Sequence, residues 1–333
     1  MDFGKISRSR SHGIRTRTFF YRDIKLKQEQ ISIFSPATVA NVSCGFDVLG
    51  FCLDTIGDNM LITKTAEPGI RITRIEGYNL PLEADKNVAG VSALALIEDY
   101  KPNCGFNIEI YKKIKPGSGI GSSSASAIGS VFGINELLGK PYNKTQLTEF
   151  AIKGEAMASK SRHADNLAPT IFGGFTLVKS CEPVKILQLP TLPDIFAVVI
   201  HPQIEIKTSQ ARTMLPANVP LRDAITQWSN LGSFVHALHT KDHGLLGDSL
   251  QDVIIEPHRS KLIPKFNTLK QAAMQAGALG CGISGSGPSI FSLCKGEKKA
   301  KQVEIAFEHV YKDSGIDFEI YVSGINEEGI KVL

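Results

Sequence analysis

The sequence has no Cys-x-x-Cys pair. Its six cysteines, Cys44, Cys52, Cys104, Cys181, Cys281 and Cys294, are scattered along 333 residues. Such spacing argues against a zinc site and a disulfide framework, and suits a reducing compartment, here the cytoplasm. No apolar run approaches the roughly 20 residues needed to span a bilayer, so no membrane partner is expected. A net charge of +4 is too mild to argue for a nucleic-acid partner. There is no internal repeat and no low-complexity tract. What is present is ordinary globular composition, 42% hydrophobic and 21% charged, in a chain long enough for two domains.

Residues 1–30 differ from the rest. Up to Arg22, the cations Lys5, Arg8, Arg10, Arg15, Arg17 and Arg22 face a single acid, Asp2. A disordered basic arm is one reading, and an Arg- and Ser-rich plastid transit peptide is the other. Neither contributes to the fold, which is expected to start with a strand at Ile31–Phe34.

The chain is organised around Lys115-Pro116-Gly117-Ser118-Gly119-Ile120-Gly121-Ser122-Ser123-Ser124-Ala125. Before it, Phe106–Tyr111 alternates as a strand. After it, Ala125–Leu138 reads as a helix. Glycines allow positive φ and close backbone approach, and a helix start presents unpaired N–H groups. Together they make a phosphate site. The loop lacks the Gly-Lys-Ser/Thr ending of a Walker A loop and the spacing of a dinucleotide fingerprint. Phosphate charge must therefore be met by main-chain N–H groups and a magnesium ion, for which a serine hydroxyl is a suitable hard ligand. A flexible Gly-Ser linker is the competing reading, and its place between a strand and a helix argues against it.

Further strands are expected at Met60–Ala66, Ile70–Ile75, Phe175–Val178, Ile195–Ile200, Ile290–Cys294 and Phe318–Val322. Helices are expected at Asn87–Tyr100, from Asn143 to Ser159, at Thr208–Leu215, Leu221–His239 and Ile263–Ala276, and at Lys295–Tyr311. The Leu221–His239 helix would bury Trp228, Leu231 and Val235. Pro36–Gly50 reads as a turn-rich connection, in which Asn41 and Asp47 taken alone are turn formers or caps. Pro183–Pro193 reads as a proline-punctuated domain boundary. Gly280–Ser289 is a second glycine-rich turn. Within four residues, His163, Asp165 and Asn166 form a polar cluster, with Glu155 upstream.

Three of these stretches, in order, resemble the three motifs of the GHMP small-molecule kinases: Pro36–Gly50, Pro116–Ser126 and Gly280–Ser289. Within that superfamily the chain is most similar to the homoserine kinases. The discriminating pieces are Pro36-Ala37-Thr38-Val39-Ala40-Asn41 with Gly45-Phe46-Asp47, His163-Ala164-Asp165-Asn166 with Ala168-Pro169, and Glu256-Pro257-His258-Arg259. Ser43-Cys44 stand where the family mostly carries Gly-Pro, and Ser124 replaces a usual alanine.

The resemblance implies an α+β, two-domain fold. Residues 31–185 would form the N-terminal, ribosomal-protein-like, ATP-binding half, and residues 186–333 the C-terminal, ferredoxin-like half. It implies ATP-dependent phosphorylation of the side-chain hydroxyl of L-homoserine, with Mg2+, in threonine biosynthesis. Asp47, beside Asn41, would take the ammonium of homoserine, and Arg212 and Arg259 its carboxylate. Ser123 and Glu155 would hold magnesium, Asn87 would contact adenine, and Lys115–Ala125 would wrap the triphosphate. His163, Asp165 and Asn166 would lie near the reacting hydroxyl, with Asp165 a candidate proton acceptor. A homodimer is left open. Competing expectations are another GHMP small-alcohol kinase and a non-catalytic nucleotide sensor.

Overall fold

Strand β1 (Gln30–Ala40) begins with strict alternation, Ile31 and Ile33 inward and Gln30 and Ser32 outward. The computed structural model describes residues 29–159, 162–206 and 208–333, so the basic segment lies outside it up to Gln28. β1 does not stop at Phe34. It continues through Pro36, which sits opposite Gly57 at a register shift between Pro36 and Thr38. A proline is tolerated there because an irregularity spares the ladder hydrogen bond it cannot donate. The connection expected over Pro36–Gly50 therefore shrinks to Asn41–Val48.

The first half continues with β2 (Leu49–Thr65), β3 (Gly69–Glu76), α1 (Val88–Tyr100), β4 (Gly105–Tyr111), α2 (Ser122–Leu137), α3 (Lys144–Ser159), α4 (Leu167–Phe172), β5 (Phe175–Cys181) and β6 (Val184–Leu189). The last of these corrects the expectation of a bare connection after Pro183. β6 pairs antiparallel with β5, but it is an edge strand with a single buried residue, Val184, so its apolar pattern is weak. The second half runs through β7 (Ile195–Pro202), α5 (Thr208–Thr213), α6 (Leu221–Thr240), α7 (His243–Ser249), α8 (Glu256–Arg259), α9 (Phe266–Gln275), β8 (Gly280–Ile283), β9 (Ile290–Lys295), α10 (Glu297–Tyr311), β10 (Phe318–Gly324) and β11 (Lys331–Val332). Gly280–Ile283 is thus strand, and the second glycine-rich turn is confined to Ser284–Ser289.

The first sheet is seven-stranded, in the order β11-β1-β2-β4-β3, with β5 on β2 and β6 on β5. The second is four-stranded, in the order β10-β7-β9-β8, antiparallel throughout. Helices between β7 and β8 and between β9 and β10 make it the split β-α-β-β-α-β arrangement expected of the ferredoxin-like half. After β10 the chain returns, and β11 pairs with β1 at Ile33↔Val332.

Three apolar cores follow from these layers. One lies between the first sheet and α1–α4, around Ile33, Met60, Phe106, Ile128 and Leu167. Another packs the second sheet on α9 and α10, around Leu269, Val303 and Phe307. The third joins the halves through Phe51, Phe175, Phe234 and Phe291. Phe51 lies 5.2 Å from the ring of Phe175 and 5.9 Å from that of Phe291. In α6 the buried side is Phe234, Ala237 and Leu238, not the side of Trp228, which is 57% exposed.

Candidate active site

The three glycines of the central loop, Gly117, Gly119 and Gly121, all have positive φ, at 75°, 84° and 75°. Two also permit close contacts. A Cβ on Gly119 would fall 2.7 Å from the carbonyl oxygens of Ser284 and Gly287, and one on Gly121 would fall 2.2 Å from Thr38 Oγ1. Neighbouring loops knit the same stretch in place. The Thr38 N–H donates to the Ile120 carbonyl (3.2 Å), Ser284 Oγ to the Gly119 carbonyl (2.8 Å), and the Ser289 N–H to the Ser118 carbonyl (3.2 Å). Helix α2 starts at Ser122, three residues before the expected Ala125, and no side chain caps its first turn. Its leading N–H groups, at the positive end of the helix dipole, face the cleft.

Sequence reasoning missed what supports the loop from behind. Lys112 and Asp58 form a fully buried ion pair. Lys112 Nζ also donates to the Ser122 carbonyl (2.9 Å) and Ser126 Oγ (3.2 Å), while Asp58 Oδ1 accepts the N–H groups of Lys113 (2.8 Å) and Ile114 (2.9 Å). Burial pushes the Lys112 ammonium down, and Asp58 opposes that push. The pair pins the strand end to the helix start, so the loop between them has fixed ends. In the sequence, nothing local signals that Lys112 is buried.

Two acids reach the loop from the opposite side. Glu155, on α3, is buried and accepts from Ser124 Oγ at 3.2 Å. The departure at Ser124 thus gives the acid a partner. Ser123 Oγ is buried, faces the same carboxylate and makes no other hydrogen bond. Burial raises the Glu155 carboxyl, while His163, Ser123, Ser124 and Lys112 pull it back. A buried carboxylate beside an unsatisfied hydroxyl is a hard-oxygen donor set that fits Mg2+, which keeps few protein ligands and several waters. Among the described residues no group of three or more His, Cys, Asp or Glu is arranged to hold a metal.

Asp165 is also buried, and its carboxyl is pushed from 3.8 to about 6, by burial first and then by Asp47 and Glu155, against His163. His163 Nδ1 lies 3.9 Å from Asp165 Oδ1. Asn166 Oδ1 accepts from Thr38 Oγ1 at 2.8 Å, which ties the cluster to β1.

The third wall is charged. Asp47 stands in a turn with four left-handed residues, Asn41, Val42, Ser43 and Asp47. Such a φ is costly for β-branched Val42, and Ser43 at +56° occupies the place where glycine is usual. Asn41 holds the turn: its Oδ1 accepts the Asp47 N–H (3.0 Å) and its Nδ2 donates to the Gly285 carbonyl (2.6 Å). Arg212, at the end of α5, donates through Nη2 to both Asp47 oxygens at 3.0 Å. Arg259, at the end of α8, is buried and donates to the carbonyls of Gly285 (3.1 Å) and Ala211 (3.3 Å). Both guanidiniums lie over the Phe46 ring, Arg259 at 4.9 Å and Arg212 at 5.7 Å. Burial lowers the Arg259 value, and Asp47 counters it.

One cleft between the halves is lined by these three walls: Asn41, Asp47, the loop glycines, Ser122–Ser124, Glu155, His163, Asp165, Asn166, Arg212 and Arg259. Gly285 and Ser286 of the second glycine turn complete it and were not singled out from sequence. Other residues of the expected site do not line the cleft. Lys115 Nζ donates to Gln203 Oε1 at 2.6 Å, Ile120 and Ala125 are packed in the joining core, and the Ser118 side chain is buried. Pro116 does not line the cleft either. Asn87 caps α1: its Oδ1 accepts the Ala89 N–H (3.0 Å) and its Nδ2 donates to the Pro81 carbonyl (2.8 Å).

A glycine-lined helix start facing converging acids and guanidiniums is the working surface of a small-molecule kinase. Residues 87–174 match the GHMP kinases N terminal domain and residues 234–313 the GHMP kinases C terminal domain. A homoserine kinase from Chlorobium phaeobacteroides is 40% identical over 314 residues, covering 90% of this chain and 98% of its own length. The crystal structure of homoserine kinase from Cytophaga hutchinsonii superposes with a TM-score of 0.89 at 45% identity, covering 92% of this chain and 98% of its own. The mevalonate kinase of Methanococcus jannaschii shares the fold, with a TM-score of 0.66 at 15% identity over 90% of this chain and all of its own. The chain belongs to the GHMP kinases and, within them, to the homoserine kinase family.

Proposed function

We propose that the protein transfers the γ-phosphoryl group of ATP to the side-chain hydroxyl of L-homoserine, giving O-phospho-L-homoserine for threonine biosynthesis. The observation that carries this reading is the charged wall. Asp47, Arg212 and Arg259 gather an acid and two guanidiniums opposite a phosphate loop, in one cleft. A zwitterionic amino acid needs both signs at one end. Arg212 and Asp47 satisfy each other, and an incoming ammonium and carboxylate replace that contact without a net change of charge.

The chain's residues then divide the work. N–H groups of Gly117, Gly119, Gly121 and Ser122–Ser124 receive the phosphates, and the fixed loop ends keep them aimed. Ser123 and Glu155 would hold Mg2+, which would neutralise charge on the phosphates. Asp47 orients the ammonium, and Arg259, with Arg212, orients the carboxylate, so that the hydroxyl points at the γ-phosphorus. The hydroxyl oxygen forms the new P–O bond as the bond to ADP breaks, and Asp165, beside His163 and Asn166, accepts the hydroxyl proton. Catalysis rests on placement and charge stabilisation more than on the proton transfer. Asn87, the cap of α1, would contact the adenine. The free cysteines suit the reducing cytoplasm.

The test is purified protein with ATP, Mg2+ and L-homoserine, followed by detection of O-phosphohomoserine. ADP release with alcohols that lack the α-ammonium group, mevalonate among them, should stay at background. Release with one of those and not with homoserine would overturn the reading.

A further inference from the structure

The two charged ends of the amino-acid pocket are joined by a pair of side chains outside it. Asp252 precedes α8 and is half-buried. Its Oδ1 accepts the N–H groups of Ile254 (3.0 Å) and Ile255 (2.8 Å), and its Oδ2 accepts that of Glu256 (3.0 Å). The Ile255 carbonyl in turn accepts the N–H of Arg259 at 3.1 Å. Asp252 therefore fixes the main chain from which Arg259 projects. Gln227, on α6, donates through Nε2 to Asp252 Oδ1 (3.1 Å) and to the Cys44 carbonyl (3.3 Å), and its Oε1 accepts the Val253 N–H (3.0 Å). Cys44 lies in the turn that carries Asp47. One amide thus ties the segment of the acid to the segment of the guanidinium.

The chemistry of the substrate class gives this tie a purpose. In an α-amino acid the ammonium and the carboxylate sit on one carbon, so their separation is fixed by covalent bonds. A pocket that grips both needs an equally fixed spacing between Asp47 and Arg259, which come from different halves of the chain. The Asp47 turn is strained, and the strands on either side of it, β1 and β2, belong to the first half alone, so local structure does not supply that spacing. We infer that Gln227 and Asp252 are positioning residues that set the distance between the two charged grips and so govern selection for an α-amino acid. This rests on the homoserine reading above.

A plain capping role for Asp252 makes a different prediction, because Gln227→Met removes the tie and leaves the cap. Steady-state kinetics of wild type, Gln227→Met and Asp252→Asn, with each substrate varied in turn, separate the two. Melting curves establish that each variant is folded. Loss of a buried hydrogen-bonded link should raise the homoserine KM roughly tenfold in Gln227→Met, and more in Asp252→Asn, while kcat and the ATP KM move less than about twofold. An unchanged homoserine KM in folded Gln227→Met, or an equal rise in both KM values, overturns the tie. A wild-type protein that transfers nothing to homoserine overturns it together with the proposed function.

Discussion

Across the cleft, the glycine wall is made of main chain and the charged wall of side chains. The first is contiguous: a single run of main chain, Gly117 to Ser124, held by a buried ion pair and by hydrogen bonds to loop carbonyls. The second is assembled: Asp47, Arg212 and Arg259 come from separate segments and meet over the Phe46 ring. A wall of peptide groups tolerates little change, because all three glycines have positive φ and a Cβ on Gly119 or Gly121 would strike a neighbour. Three exchangeable side chains can be altered one at a time. The contrast separates a fixed main-chain wall from an adjustable side-chain wall.

The largest effect should come where the glycine wall depends on a side chain. Glu155→Gln keeps the shape and removes the charge, and turnover should fall by about a thousandfold, near 4 kcal/mol, in a protein whose circular dichroism is unchanged. Retained turnover would mean that peptide groups suffice there. Next is the support behind the loop. Lys112→Met leaves Asp58 buried and unpaired, and chemical denaturation should show a loss of about 3–4 kcal/mol. On the charged wall, Arg259→Leu should raise the homoserine KM by about a hundredfold, near 3 kcal/mol, and leave the ATP KM in place. Equal loss on both substrates would erase the division between the walls.

Asp165 sits between the walls, and its raised carboxyl gives a pH signature. Its folded value, about 6, lies above its ordinary 3.8. Its contribution to stability is therefore fully present below 3.8 and is lost as pH rises through about 6. Asp165→Asn should melt higher than wild type at about pH 7.5, and the gap should close in acid. If the ionised form takes the proton, kcat/KM should rise through about pH 6 in wild type and lose that step in the variant. Near-normal turnover in Asp165→Ala would remove it as the proton acceptor. The smallest change concerns the strained turn. Ser43→Gly should relieve a left-handed serine and stabilise the protein by about 1 kcal/mol, read from its melting temperature.

The same contrast explains what could be read from sequence. The glycine wall was legible because positive φ, close approach and a helix start are written in consecutive residues. The helix start slipped, since Ser122-Ser123-Ser124 read as loop yet form the first turn of α2, and Lys115, Pro116, Ser118, Ile120 and Ala125 fall outside the cleft. Nothing local joins Asp47 to Arg212 and Arg259, so that wall was legible only through resemblance to a family. The Lys112–Asp58 pair had no sequence signal, because burial of a charge is decided by tertiary packing. In α6, periodicity found the helix but chose the wrong face: it placed Trp228 inward, whereas Phe234, Ala237 and Leu238 fill the joining core. β6 was hidden by flanking prolines and by its exposure at a sheet edge.

The return of the chain to its beginning has a consequence for synthesis. The Leu53↔Ile325 bridge, the Ile330 N–H on the Thr170 carbonyl and β11 on β1 all stitch residues 325–333 into the half made first. On the ribosome that half would emerge early, with one border of its sheet still bare. It gains this strand only once Lys331–Val332 are free to pair, so a nascent chain stalled before Lys331 would present β1 as an open edge to whatever strand it met first.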